Sequence, residues 1–361
     1  LPVFGSANVP AATGAFFIVQ GEIIESEPVL VHGFGDVVAW MAAVAGHRAR
    51  VPAVFASPAP GFFGAGARIG AWASRLSAPG LVDTLDDRLA AWTEGPARAL
   101  RAAIAGQLAD VTDVCLTPSE RDRDALLEGG AAEGAVELVA PRGGVDLDRF
   151  DPEAEGVPGR DEARRRLRIP ERWRLVAGYA GELRPDRGGA ALVRSIEEVA
   201  RRHPGVGWVL LPDRGEGLAS VVESELAAQI RRGRLVVADP DTPRRLVHRA
   251  TDLYVDPGEG EDVPRAVLEA AAMETAVAAH RGGAMEMVVR DGQTGRLVDR
   301  DAGEDLADVV ESMVSAPGRL EDYGIRGRVR CRERFDRRDA EVAVLELYDR
   351  VLESKLAEDG A

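Results

Sequence analysis

Cysteine is scarce in this chain of 361 residues. The two cysteines, Cys115 and Cys331, lie far apart in the sequence and match no metal-binding spacing. We therefore expect two free thiols in a reducing compartment. The sequence also contains no cluster of carboxylates and histidines that requires a metal ion.

Long apolar runs are missing as well. No stretch approaches the ~20 apolar residues that are needed to cross a bilayer. The chain opens at Leu1 without a charged segment followed by an apolar one, so nothing in it is typical of a signal peptide. These absences favour a cytoplasmic protein.

Lysine is almost absent, since Lys355 is the only lysine among 45 basic residues. The net charge of −15 argues against a nucleic-acid-binding protein, whose affinity would depend on cationic contacts with phosphates. The arginine bias fits a GC-rich genome. It is also compatible with a diphosphate site, because the guanidinium group contacts phosphate in a bidentate manner.

The chain is long enough for two domains, because 361 residues exceed what one hydrophobic core usually organises. We predict a first domain over residues 1–157 and a second over residues 158–337. The segment FDPEAEGVPGRDEARRRL at their junction is polar and contains Pro and Gly, which is typical of a linker. In the second domain strands alternate with helices, which predicts an α/β fold with ligand sites at the carboxyl ends of the strands.

Two glutamates, Glu261 and Glu269, stand eight positions apart in the run EDVPRAVLEAAA. Proline suits the first helical position, so Pro264 is expected to start a helix that carries Glu269 on its second turn. The free N–H groups of the first turn favour an anion, and those of Val263, Arg265 and Ala266 are the predicted donors. Two acceptors for sugar hydroxyls beside an anion site describe a pocket for a nucleotide sugar.

The segments around these glutamates resemble the retaining glycosyltransferases of family 4, also called glycosyl transferases group 1. The resemblance runs from about Val111 to Tyr348 and rests on LTPSERDRDALL, PRGGVDLDRFDP, GYAGELRPDRGG, ATDLYVDP, HRGGAMEMVVRDGQTGRLV and RERFDRRDAEVAVLELY, in this order. The family has the GT-B fold, so the resemblance implies two Rossmann-like domains that face a cleft.

The resemblance implies a donor site in the loop from Gly181 to Gly188. Family members hold the donor diphosphate there with an arginine and a lysine in the pattern G-R-x-x-x-x-K-G. Arg187 takes the lysine position, whereas Glu182 takes the arginine position and reverses its charge. Arg184 is the candidate that compensates for Glu182. Gly181, Arg184 and Arg187 are thus predicted to bind the donor, with Arg187 stabilising the departing phosphate.

The resemblance also assigns roles to the two glutamates. It places Glu269 at the ribose hydroxyls of the donor and Glu261 near the transferred sugar. Family members have a histidine beside that sugar in the first domain, but Ser57 or Pro58 falls at its position here. His32, at the end of VLVHGFG, is the remaining candidate for this part of the cleft.

The two ends of the chain carry further expectations. Family members end with a helix that crosses back onto the first domain, and residues 338–361 take this place. Their apolar positions follow helical spacing: Val342, Leu345, Tyr348 and Leu352. Family members begin with a strand and a glycine-rich loop, whereas this chain opens with LPVFGSANVPAATGAFF. We therefore expect a truncated N-terminal domain, either because the chain is an excised fragment or because these elements are missing.

The leading interpretation is an enzyme that moves a sugar from a nucleotide-diphosphate donor to an unknown acceptor with retention of configuration. The resemblance implies no cofactor and no metal. The acceptor is a sugar, a lipid-linked molecule or a small molecule, and family members often act on lipids at the inner membrane face, which implies peripheral membrane contact. Two alternatives remain: a catalytically degenerate sugar-nucleotide-binding or partner protein, and a sugar-nucleotide epimerase of the same fold.

Overall fold

A computed structural model describes most of the chain. The described residues are 30–34, 50–56, 112–118, 120–181, 188–213, 226–258, 263–282, 284–299 and 302–359. They divide into two compact units, one formed by Leu1–Val139 with Glu341–Ala361 and the other by Ala140–Ala340. We call these the N-terminal and C-terminal units.

The boundary between the units falls at residue 139, earlier than the predicted position 157. The expected linker instead packs onto the C-terminal unit. Phe150, at the start of the expected linker, is buried in that unit's core, and just before it Val145 donates its N–H to the Phe335 carbonyl oxygen at 2.8 Å. Arg328 binds the Asp151 carboxylate at 2.8 Å. Polar composition predicted a linker, but these long-range contacts fix the segment in place.

In the N-terminal unit, the described strands form a parallel sheet in the order β1-β2-β3-β4. The elements are β1 (Val31–Phe34), β2 (Ala53–Ala56), β3 (Val114–Thr117), α1 (Glu120–Glu128), a 3₁₀ turn (Glu133–Ala135) and β4 (Val136–Leu138). Cys115 lies in β3 and is buried and free, as is Cys331 of the other unit, which confirms the predicted thiols. Burial raises the pKa of Cys331 to about 12.

The last helix belongs mainly to the N-terminal unit, which includes Glu341–Ala361. It spans Arg337–Asp359, and Leu347 and Val351 pack against the strand residues Val54 and Leu116. The buried face of this helix differs from the predicted apolar face, because Val342 is 52% exposed and Leu345 is 61% exposed. Apolar residues follow helical spacing on two faces of this helix, and only the position of the sheet decides which face is buried.

The C-terminal unit is built around a second parallel sheet. Its helices and strands are a 3₁₀ turn (Pro141–Gly143), α2 (Arg160–Arg166), β5 (Leu175–Gly181), α3 (Gly189–Arg202), β6 (Val206–Pro212), α4 (Ala227–Arg231), β7 (Leu235–Val237), α5 (Arg244–Ala250), β8 (Leu253–Asp256), α6 (Arg265–Ala272), β9 (Ala276–His280), α7 (Met285–Val288), β10 (Gly295–Val298), α8 (Leu306–Val314) and α9 (Pro317–Arg334); the final helix Arg337–Asp359 is α10.

Within the described residues, the strand order of this sheet is β10-β9-β8-β5-β6-β7. The chain starts at β5, moves outward through β6 and β7, and returns to the other side of β5 at β8. This order is that of a Rossmann-type fold, and it creates a switch point between the carboxyl ends of β5 and β8. Such a switch point is where open α/β sheets bind their ligands.

Close packing of α6 fixes one wall of this region. Every residue of α6 after Arg265 is buried, because the small alanines let the helix lie between the sheet and α9. On α9, a Cβ at Gly324 would come within 2.1 Å of the Glu274 carbonyl oxygen, so glycine is needed there for α9 to approach the residues that follow α6.

No described helix is long and apolar enough to span a membrane.

Candidate functional site

Two loops meet at the switch point between β5 and β8. Gly181 ends β5 with a φ of +152°, and a Cβ there would lie 3.0 Å from the Tyr179 hydroxyl. Gly188 precedes α3 with a φ of +86°, and its Cβ would lie 1.7 Å from the Pro257 carbonyl oxygen. Only glycine allows the start of α3 to touch the loop after β8. The two glycines thus shape the edge where a ligand is expected.

Helix α6 follows β8 at this edge. It begins at Arg265, with Pro264 as its cap in extended conformation (φ −60°, ψ 139°), so Pro264 precedes the first helical position instead of occupying it as predicted. Val263 and Ala266 are buried and Arg265 is exposed. The first N–H groups of a helix have no partner within it, so the predicted anion donors of Arg265 and Ala266 stand at the start of α6.

Glu269 lies on the second turn of α6, as predicted, and is buried. Its Oε2 atom lies 3.7 Å from Arg244 Nη1 and 3.5 Å from His248 Nε2. It has no hydrogen-bond partner within the part of the chain that the structure describes. A buried carboxylate beside an arginine and a histidine needs hydrogen-bond donors, and a ligand can supply them.

Arg244 and His248 stand one helical turn apart on α5 and face the same neighbour. Arg244 starts the helix and also binds the Asp213 carboxylate at 2.8 Å, just after β6 ends. His248 is buried between aromatic rings: its centroid is 5.5 Å from that of Tyr254 and 6.3 Å from that of Phe150. The sequence analysis missed both residues, although their spacing of four on a helix was a signal for a shared face.

Opposing effects set the acidity of Glu269. Burial acts to raise its pKa, but the interaction with His248 and the charges of His248, Arg244 and Arg265 outweigh burial and lower the pKa below its ordinary value of 4.5. The carboxylate is therefore ionised at neutral pH. The site thus offers a fixed negative acceptor, suited to hydroxyl groups, behind a helix start that is suited to an anion.

Several predicted site residues lie outside the described residues: Arg184, Arg187 and Glu261. His32 lies in β1, but the structure does not describe its side chain. The structure therefore brings together Gly181, the start of α6 and Glu269 in one unit. It adds Asp213, Arg244 and His248 to them.

The fold assigns the chain to a structural class. It is similar to a glycosyltransferase from Rickettsia africae (TM-score 0.70, 14% identity, covering 97% of this chain and 84% of that one). It is also similar to Anabaena HepE in complex with UDP and glucose (TM-score 0.64, 15% identity, covering 94% and 81%). By fold this is a GT-B protein, α/β with two Rossmann-like parallel sheets, as predicted. That the two units face a cleft stays a prediction.

Sequence comparisons support a family within that class. Residues 174–316 match the family model of glycosyl transferases group 1. The chain is 31% identical over 226 residues to a D-inositol 3-phosphate glycosyltransferase of Rhodococcus erythropolis, covering 61% of this chain and 49% of the relative. It is 31% identical over 256 residues to an alpha-maltose-1-phosphate synthase of Mycolicibacterium smegmatis, covering 67% and 64%.

These matches support the group 1 glycosyltransferases of GT-B fold as the family of this chain. The match to the family model lies within the C-terminal unit and includes Glu269, Arg244 and His248. The chain spans about half the length of the D-inositol 3-phosphate glycosyltransferases that it matches.

Proposed function

We propose that this chain transfers a sugar from a nucleotide-diphosphate sugar to an acceptor, with retention of configuration. The observation that carries the proposal is Glu269, a buried carboxylate on the second turn of the helix that follows the switch point. This residue lies inside the segment that matches the group 1 glycosyltransferases. The nucleotide sugar is the donor substrate, and the proposal includes no cofactor.

In this proposal the C-terminal unit binds the nucleotide part of the donor. Glu269 accepts hydrogen bonds from the ribose hydroxyls, and the first N–H groups of α6 face the diphosphate. Gly188 brings the start of α3 against the loop after β8, and Arg184 and Arg187, which precede it in the sequence, are proposed to bind the phosphates. Negative charge grows on the leaving phosphate as the glycosidic bond breaks, and fixed cations stabilise it there.

The sugar end of the donor is assigned to residues whose side chains the structure does not describe. Glu261 is proposed to contact the transferred sugar, and His32 to approach it from the N-terminal unit. Holding donor and acceptor in one orientation supplies the rest of the rate enhancement.

The names of related proteins guide the choice of substrates to test. The Anabaena protein was crystallised with UDP-glucose and with UDP. The relatives include enzymes named for D-inositol 3-phosphate, a small phosphorylated acceptor. We take UDP-sugars and sugar or inositol phosphates as the first compounds to test. A cytoplasmic location, with peripheral membrane contact if the acceptor is lipid-linked, stays a prediction.

One observation favours a second candidate function, that of a protein that binds a nucleotide sugar without transferring it. Glu182 stands where family members have an arginine at the diphosphate. A carboxylate there repels the leaving group, unless Arg184 compensates for it. Such a protein would keep the ribose contact of Glu269 and lose the chemical step.

The test measures thermal stabilisation of the purified chain by UDP, GDP and ADP and by their sugar conjugates. A ligand at ~100 times its dissociation constant adds about 2.7 kcal/mol to the free energy of unfolding. We expect stabilisation by one nucleotide, lost in Glu269→Gln. Glu198→Gln, a change of an exposed carboxylate on α3 that pairs with Arg201, is the matched control and should leave the stabilisation unchanged.

Transfer is then assayed by NMR of the anomeric proton in the product. An α-configured product from an α-linked donor supports the proposal. Binding without transfer to any phosphate-bearing or lipid-linked acceptor supports the binding protein instead. The absence of stabilisation by every nucleotide contradicts both functions.

A further inference from the structure

The environment of Glu269 includes a histidine to which no role has yet been assigned. His248 lies on α5 and Glu269 on α6, and Nε2 of the imidazole faces Oε2 of the carboxylate across 3.5 Å. The side chain of His248 is 0% exposed and that of Glu269 is 5% exposed. Water is therefore excluded from the inner side of the carboxylate, and only protein groups can orient it there.

Neither ring nitrogen of His248 has a hydrogen-bond partner among the described residues. Leaving a buried donor unpaired costs about 1–3 kcal/mol. The Oε2 atom of Glu269 is also without a partner. A closing movement of about 0.5 Å would bring donor and acceptor to ordinary hydrogen-bond distance. One bond would then satisfy Nε2 of His248 and Oε2 of Glu269 together.

Arg244 does not make a hydrogen bond to Oε2 of Glu269 in place of His248. Its guanidinium is 33% exposed, it binds Asp213 at 2.8 Å, and it approaches Glu269 only to 3.7 Å. The other groups facing the pair are Tyr254 on β8, which donates its hydroxyl to the Ala180 carbonyl oxygen at 3.0 Å, and the Phe150 ring. Among these groups, His248 is the donor that is both fully buried and uncommitted.

We propose that His248 is a positioning residue for the donor site: it donates Nε2–H to Oε2 of Glu269 and so directs Oε1 toward the ribose hydroxyls of the nucleotide. This inference rests on the proposed function, since it assigns to Glu269 the ribose contact. His248 itself touches no ligand. It acts by fixing which oxygen of the carboxylate faces inward and which faces the nucleotide.

The first test compares two variants of His248, one that keeps a hydrogen-bond donor near the position of Nε2 and one that removes it. His248→Gln keeps an N–H near the position of Nε2, whereas His248→Phe keeps a ring between Phe150 and Tyr254 and removes the nitrogens. Affinities are measured by calorimetry for UDP, GDP and ADP, each beside its 2′,3′-dideoxy analogue, and for inorganic pyrophosphate. Circular dichroism reports whether each variant folds, and His248→Asn replaces His248→Phe if the latter does not.

In the wild type we expect the ribonucleotide to bind about tenfold or more tightly than its dideoxy analogue, as hydrogen bonds to a charged group imply. His248→Phe should reduce this ratio toward that of Glu269→Gln and leave pyrophosphate binding unchanged. His248→Gln should retain most of the ratio. A merely structural histidine would weaken all three ligands together. An unchanged ratio in a folded His248→Phe overturns the proposal.

The second test needs no nucleotide and so separates this inference from the proposed function. The Glu269 carboxyl is titrated by ¹³C NMR, with Glu269→Gln identifying its signal. Loss of the histidine leaves burial as the dominant effect, so His248→Phe should raise the pKa of Glu269. If no nucleotide binds the wild type, the proposed function fails, and a raised pKa still supports the contact. An unchanged pKa overturns it.

Discussion

Two shielded carboxylates of the C-terminal unit, Asp252 and Glu269, each face two basic side chains, but these approach the two carboxylates differently. Asp252 stands at the amino end of β8, next to β5. Glu269 lies on α6, the helix that follows the carboxyl end of the same strand. The pair of strands that forms the switch point therefore has a carboxylate near each end.

Asp252 is saturated with donors. Arg160 and Arg164 both bind it, the latter at 2.6 Å, and the Val176 N–H donates to it at 2.7 Å. These bonds tie α2 to the start of β5 and leave the carboxylate no capacity for a ligand. Its geometry is that of a group that stabilises the fold.

Glu269 has the same type of neighbours at 3.5 and 3.7 Å, beyond hydrogen-bond distance for Oε2. Arg244 and His248 therefore flank the carboxylate without bonding directly to Oε2. The comparison teaches that the number of basic side chains around a buried carboxylate does not separate a structural residue from a binding residue. Saturation of its oxygen atoms does.

The largest effect is expected from Asp252→Asn. The variant keeps the volume but removes the charge that two arginines share, which leaves both without a counterion. We expect a loss of about 3 kcal/mol in the free energy of unfolding, measured by urea denaturation. The control is Asp148→Asn, which breaks the exposed pair with Arg338 and should cost less than about 0.5 kcal/mol. Similar losses for both variants would contradict the structural role of Asp252.

The second prediction concerns the contact between the two loops at the switch point. Gly188→Ala places a Cβ against the Pro257 carbonyl and strains a φ of +86°, so we expect a loss of about 2–3 kcal/mol. Gly292→Ala has the same kind of strain (φ +71°) with no atom within 4 Å, and should cost about 1 kcal/mol. Thermal denaturation of both variants measures the difference. Equal losses would mean that the loops do not touch.

A smaller effect on stability is expected from Glu269→Gln. Because Arg244 and His248 lie 3.7 and 3.5 Å from Oε2, the amide should change the free energy of unfolding by less than about 1 kcal/mol, although it weakens nucleotide binding in the proposed function. Urea denaturation beside Asp252→Asn tests the contrast directly. A loss as large as that of Asp252→Asn would remove the distinction drawn between the two carboxylates.

The smallest effect concerns pH. The pKa of Glu269 is lower in the folded protein than its ordinary value of 4.5, so ionisation contributes stability above pH 4.5 that is lost as the pH falls through the folded pKa. Below pH 4.5, the free energy of unfolding of the wild type should therefore fall relative to that of Glu269→Gln. Denaturation of both proteins from neutral to acidic pH measures this. A difference that is constant with pH would contradict the lowered pKa.

Much of this architecture was predictable from the sequence because it depends on local patterns. The alternation around ATDLYVDP and RAVLEAAA predicted a strand followed by a helix, and the structure has β8 and α6 there. Glu269 was found in the same way, as a charged residue within an alanine-rich helix. Its place on the second turn of α6 follows from spacing alone.

Other features depend on contacts between distant segments, and for these the sequence was insufficient. Polar composition predicted a linker over the segment FDPEAEGVPGRDEARRRL, but Phe150 is buried in the core of the C-terminal unit and Arg328 binds Asp151 there. Likewise, the last helix had two possible apolar faces, and the one containing Leu347 and Val351 is buried.

The sequence by itself determined the α/β class, the free cysteines and the position of Glu269, because each depends on composition or on residues close together in the chain. The tertiary structure alone decided that Arg244 and His248 face Glu269 and that Asp252 is saturated. These contacts join α5 to α6 and α2 to β8. Arg164 lies 2.6 Å from Asp252, whereas Arg244 lies 3.7 Å from Glu269, and only the packing of the helices against the sheet sets these distances.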